Sequence, residues 1–91
     1  MAKYLPKPVA IDAERVSMLL YHAGHSWKKL PTWVADAYDA GDLIFLRDSV
    51  DVQTPEGRLI GASGDLLICG AGGEIRPCKP EIFAKTYELA D

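Results

Sequence analysis

Two cysteines, Cys69 and Cys78, and two histidines, His22 and His25, are the side chains with the widest chemical range in this chain. Together they could be written as two ligand pairs for zinc. Structural zinc sites usually draw on close pairs such as C-x2-C, whereas a hairpin-length stretch separates Cys69 from Cys78, so the spacing does not compel a metal. A nucleophile reading would pair Cys78 with a histidine, with Lys79 lowering the thiol pKa. Nothing in the spacing brings a histidine to it. Cys69, set in an apolar run, reads as a small core residue. A reducing compartment favours free thiols for both.

Gly70, Gly72 and Gly73 invite a phosphate-loop reading, since glycine lets backbone amides approach an anion. A dinucleotide fingerprint needs a helix straight after its glycines, and a P-loop needs Lys then Ser or Thr. Here Glu74, Ile75 and Arg76 follow, a strand-like run, so the glycines read as a hairpin turn. Asp65, Glu74 and Glu81 could form an acid and base pair. Carboxylates near turns more commonly fix the turn, as expected of Asp65, or favour a helix N-terminus, as expected of Glu81. Trp27 stands apart. It lies in a polar stretch with His25, Ser26, Lys28 and Lys29, where an exposed ring beside cations would anchor a protein partner or a ligand ring. The alternative is a ring that caps the core.

The elements that must position these residues follow from periodicity. Val9, Ile11 and Ala13 alternate with Ala10, Asp12 and Glu14 as in a half-buried edge strand. Residues 14 to 23 fit a helix stopped by Gly24, with an extension of the first strand through Val16 to Tyr21 as the alternative, and Pro31 opens a second helix to Ala40 that Gly41 ends. Short strands are expected at 43–46, 50–53, 58–60, 66–69 and 74–76, bounded by tight turns that make them antiparallel neighbours. Pro80 to Lys85 reads as a short helix with Ile82 and Phe83 as anchors, and 86–88 as a last extended segment.

The chain has 91 residues, of which 48% are hydrophobic and 25% charged, with a net charge of -3. That is one folded domain, 1–91, with one core. Its ten Lys and Arg are scattered, Lys28-Lys29 being the only adjacent pair, so the charge pattern disfavours a phosphate backbone as partner. No apolar run approaches the ~20 residues that span a bilayer, and the first residues lack the apolar centre of a signal peptide. A cytoplasmic protein is expected.

The order of the residues adds a resemblance. Lys7, Pro8, Val9, Ile11 and Ala13 near the start are followed by Gly57, Gly64, Asp65, Gly70, Gly73 and Glu74. Pro77-Cys78-Lys79-Pro80, Ile82-Phe83 and Thr86-Tyr87-Glu88 come next. This order resembles a family of short tailed-phage and prophage accessory proteins, across both ends of the chain and poorly through the middle, about 14–41. Leu66 and Arg76 stand where that family often has aromatic residues. The resemblance implies a phage origin and brings no activity with it.

The expected fold is α+β: a small, strongly bent antiparallel sheet or SH3-like barrel with one or two inserted helices and a short C-terminal helix. The first strand and residues 86–88 should pair to tie the ends. Expected anchors are Val9, Ile11, Leu20, Trp33, Val34, Ile44, Leu46, Ile60, Leu67, Ile68, Ile75, Ile82 and Phe83. The expected function is non-enzymatic and cofactor-free binding of a host protein. Trp27, Lys28, Arg58, Glu74, Arg76, Cys78 and Lys79 are the candidate contact residues. A small anionic ligand held by Arg58, Arg76, Lys79 and the amides of 70–73 is the alternative. A minor virion component is a third reading, and a homodimer is admitted.

Overall fold

In the computed structural model, which describes residues 2–5 and 9–89, the α+β class holds. The elements in chain order are β1 (Asp12–Arg15), α1 (Val16–His25), a 3-10 turn (Trp27–Lys29), α2 (Thr32–Asp39), β2 (Leu43–Phe45), β3 (Ser49–Thr54), β4 (Gly57–Ala62), β5 (Leu66–Cys69), β6 (Ile75–Cys78) and α3 (Pro80–Thr86). All strand pairs are antiparallel. The barrel does not close among the described residues. The strands form two three-stranded sheets instead, ordered β1-β5-β6 and β2-β3-β4.

Local chemistry fixes several boundaries. Gly41, at φ 81°, ends α2, and the amide of Asp42 returns to the Ala37 carbonyl at 2.9 Å. This six-to-one closure needs a left-handed residue after the helix. The β3-β4 hairpin closes on Thr54, whose hydroxyl donates to the Gly57 carbonyl at 2.7 Å and accepts from the Glu56 amide at 3.2 Å. Gly24 does not stop α1. The helix continues to His25, whose ring stacks on Tyr21 at 4.2 Å and places Nδ1 2.8 Å from the Tyr21 carbonyl oxygen.

The β4-β5 link departs most from expectation. The turn at Ser63, Gly64 and Asp65 is as tight as predicted, yet β4 and β5 do not pair, because the chain changes sheets there. β5 pairs with β1 instead, Ala13 opposite Ile68 and Glu14 opposite Leu67. The same turn receives the first amides of α1, Val16 on Asp65 O at 3.0 Å and Ser17 on Ser63 O at 3.1 Å. Asp65 is almost fully buried, and its carboxylate accepts the Ala62 amide at 2.9 Å and the Lys79 ammonium at 3.1 Å. The two sheets meet closely at Gly61, where a Cβ would stand 3.1 Å from both the Pro77 Cβ and a Val50 methyl.

Val16, Leu19, Leu30, Val34, Leu43, Val50, Val52, Leu67 and Ile75 form the core. Five expected anchors are instead exposed: Val9, Ile44, Leu46, Ile60 and Ile82 are all more than 40% accessible. In β2 the reason is parity. Leu43 faces inward with Val52, so Ile44 faces outward with Asp51 and Ile60; side chains alternate, and a one-residue offset reverses the face. Thr86 belongs to α3, and Tyr87 to Leu89 form no strand, so the expected tie between the chain ends is absent. α3 buries no residue fully; Phe83 is half-buried and packs on Tyr87 at 5.1 Å. Among the described residues no helix is long and apolar enough to cross a membrane.

Candidate functional site

Four of the seven expected contact residues fall into two separate places, Trp27 and Lys28 in one and Glu74 and Arg76 in the other. At the first, Trp27 is carried by the 3-10 turn, which closes through the Leu30 amide on the Trp27 carbonyl at 3.0 Å. Its ring meets Tyr38 of α2 edge-on at 4.9 Å and Phe45 of β2 at 5.8 Å, and Tyr38 and Phe45 lie 5.8 Å apart. The rings fill one another in the edge-to-face manner aromatic groups favour, leaving no cage between them. Trp27 and Tyr38 are each 42% exposed, so the trio both covers the core and presents a rigid apolar surface. Lys28 and Lys29 stand exposed beside it, without a carboxylate in ion-pairing range among the described residues.

Sequence reasoning found Trp27 and missed its partners. Tyr38 falls on the apolar stripe of α2 with Trp33, Val34 and Ala37, and Phe45 lies between Ile44 and Leu46, the two residues expected to face inward. Three consecutive elements of different type supply the rings, and only the packing reveals that they meet.

The second place is a groove of about 390 Å³ on the outer face of the β1-β5-β6 sheet. Val9, Ile11, Ile68 and Tyr87 supply its apolar lining, and Glu74 and Arg76 its charge. A groove of this size falls within the range of ligand-sized clefts. The β5-β6 turn beside it closes on itself, with the Gly70 amide on Glu74 O at 2.8 Å and the Gly73 amide on Gly70 O at 3.0 Å. The Glu74 carboxylate lies against Gly70 and Gly72, where a side chain would collide with it. A negative group thus already sits where the glycine turn would have cradled an anion.

The three cations expected to hold an anion are each engaged. Arg58 pairs with Asp51 at 2.8 Å and reaches Gln53 at 3.1 Å; Arg76 pairs with Glu56 at 3.3 Å; Lys79 pairs with Asp65 at 3.1 Å. Lys79 therefore does not lower the Cys78 thiol pKa. Burial pushes that thiol up, and Asp65 and Glu81 add to the shift. Cys69 is pushed up likewise, by burial and then by Asp12 and Glu74. Each Sγ donates to a backbone carbonyl, Cys69 to Gly70 at 3.7 Å and Cys78 to Lys79 at 3.6 Å. Both cysteines are free, and the register sets Cys69 opposite Ile75 but Cys78 opposite Leu66, at the two ends of the β5-β6 ladder. Raised, hydrogen-bonded thiols are poor nucleophiles.

His22 and His25 sit on α1, and among the described residues no three His, Cys, Asp or Glu side chains converge to hold a metal. His22 Nδ1 is enclosed without a hydrogen-bond partner among those residues. No protein-family model, curated protein or solved structure matches the chain.

Proposed function

We propose that this is a non-enzymatic, phage-encoded accessory protein that binds a host protein in the host cytoplasm, as a counter-defence or takeover factor, and that Trp27, Tyr38 and Phe45 form its contact surface. The supporting observation is the aromatic trio itself. Binding energy concentrates in rigid aromatic anchors ringed by polar groups, and Lys28 and Lys29 supply cations beside this one. The phage origin rests on the sequence resemblance.

Affinity capture from lysates of several bacterial hosts tests the reading when wild type and Trp27→Ala are run together. A stoichiometric partner should be retained by wild type and weakened about thirtyfold in the variant, with an unchanged circular dichroism spectrum. Equal capture by both proteins would reject the surface, and no capture from any host would reject the function.

A small-ligand role is a second reading, favoured by the groove and by the guanidinium donors of Arg76 beyond the one that meets Glu56. The Glu74 carboxylate weighs against an anion there. Native mass spectrometry of the purified protein decides it by the presence or absence of a bound small molecule.

A further inference from the structure

The open edge of β1 has a hydrogen-bonding pattern that the register fixes. The Val16 amide donates to Asp65 O at 3.0 Å, one step beyond the last ladder pair. Antiparallel parity then makes Asp12 and Glu14 the residues that exchange bonds with Cys69 and Leu67. The Arg15 carbonyl, at the N-cap of α1, accepts the first bond of that helix, and the N–H and C=O groups of Ile11 and Ala13, with the N–H of Arg15, point away from β5. β1 is the end strand of its sheet, and these groups meet no backbone partner among the described residues. Such a row templates another strand unless the fold obstructs it. The opposite end strand, β6, carries Pro77, which has no N–H to offer.

Side chains around this edge define what would pair with it. One cross-strand row runs Ala13, Ile68, Arg76 and the next continues through Ile11 toward the Gly70–Glu74 end of the hairpin, so an added strand would flank the groove on its apolar side. On the other face, Asp12 and Glu14 lie in the rows of Cys69 and Leu67. Asp12, Glu14 and Glu74 have no cation in ion-pairing range among the described residues. A second copy of β1 does not fit. Antiparallel self-pairings centred on Asp12, Ala13 or Glu14 set an acid opposite an acid, and like charges directly opposite destabilise a sheet; the one centred on Ile11 sets Asp12 opposite Ala10 and gives neither acid a cation.

We infer that β1 accepts, as a fourth strand of its sheet, an extended peptide segment of a partner protein in which basic and apolar residues alternate. The basic residues face Asp12 and Glu14, and the apolar ones face Ile11, Ala13 and the groove. This is strand addition, in which main-chain bonds give affinity and alternate side chains give specificity. It is independent of the aromatic surface.

Three synthetic hexapeptides test it on the full chain: alternating Val and Lys, alternating Val and Glu, and the Val-Lys sequence broken by a central Pro. The Val-Lys peptide should bind about tenfold tighter than either other, a gap of about 1.4 kcal/mol, and should slow amide exchange at Ile11, Ala13 and Arg15. The double variant Asp12→Lys, Glu14→Lys should reverse the preference toward the Val-Glu peptide. Equal affinity for the basic and acidic peptides would overturn the inference. So would protection that appears only around Trp27 and Phe45, or a dimer in sedimentation whose Ile11, Ala13 and Arg15 amides are already protected. The exchange measurement on the wild-type chain stands even if the double variant fails to fold.

Discussion

The aromatic surface and the β1 groove both leave apolar side chains in water, but they are built differently. Trp27 and Tyr38 lean on Phe45, whose strand neighbour Leu43 is fully in the core. Val9 and Tyr87 line a groove outside the core, beside a helix that buries nothing fully. The first surface is rigid because its exposed rings are extensions of the interior. The second keeps room for an occupant because its walls come from the two ends of the described chain, which approach the same face without pairing. Exposure alone does not distinguish a preformed contact from an unfilled one; what lies beneath the side chain does.

The sharpest way to break this contrast is to remove one ring from each region. Phe45→Ala should lower stability by about 2–4 kcal/mol, because a partly buried ring that supports two others leaves a cavity. Tyr87→Ala should cost under about 1 kcal/mol, as substitutions away from a packed core usually do. Urea denaturation measures both, and equal losses would mean that the two regions share one kind of packing.

A smaller effect is expected at Asp65, which serves neither surface but holds the turn between the sheets. Asp65→Asn keeps an acceptor for the Ala62 amide and removes the charge facing Lys79, so about 1–2 kcal/mol should be lost. Lys79→Met, which removes only the ion pair of a lysine side chain that is 57% exposed, should cost less than Asp65→Ala, which also removes the acceptor of the Ala62 amide. The comparison of denaturation midpoints decides which contact dominates.

The smallest effect concerns the thiols. Because burial raises both in the folded state, they should react with iodoacetamide more slowly than a free thiol at the same pH. The sign for stability follows. The thiols' contribution is complete below the unfolded thiol pKa and is lost as pH rises through the higher folded one. Alkaline conditions should therefore weaken the fold slightly, and replacing both cysteines with Ala should flatten that slope.

Much of the local structure was legible in the residues. Gly41 announced the end of α2, Pro55-Glu56-Gly57 the hairpin, and Asp65 the turn that it stabilises. What the sequence concealed had physical causes. Leu43 to Leu46 is apolar at every position, so no alternation told which face was inside. β1 was expected in the register of Val9, Ile11 and Ala13, yet the ladder runs over Asp12–Arg15, because pairing with β5 and the capping of α1 by the Ser63 and Asp65 carbonyls set its position. Neither constraint has a local signature. Of the candidate contact residues, Trp27 and Lys28 share the aromatic surface, and Glu74 and Arg76 share the groove. Arg58, Cys78 and Lys79 each serve local contacts in the fold.

The change of sheets at the β4-β5 turn also imposes an order of assembly. β2, β3 and β4 are joined by two local hairpins and close little chain entropy, whereas β1 must wait for a partner more than fifty residues downstream. Contacts of long sequence separation form late. We therefore expect pulsed amide exchange during refolding to protect Val50 and Val52 before Glu14, with protection of Glu14 first counting against this order. During synthesis the acidic edge strand would then spend its longest interval unpaired while the ribosome is still making β5, and its carboxylates would guard it from neighbouring chains for that interval.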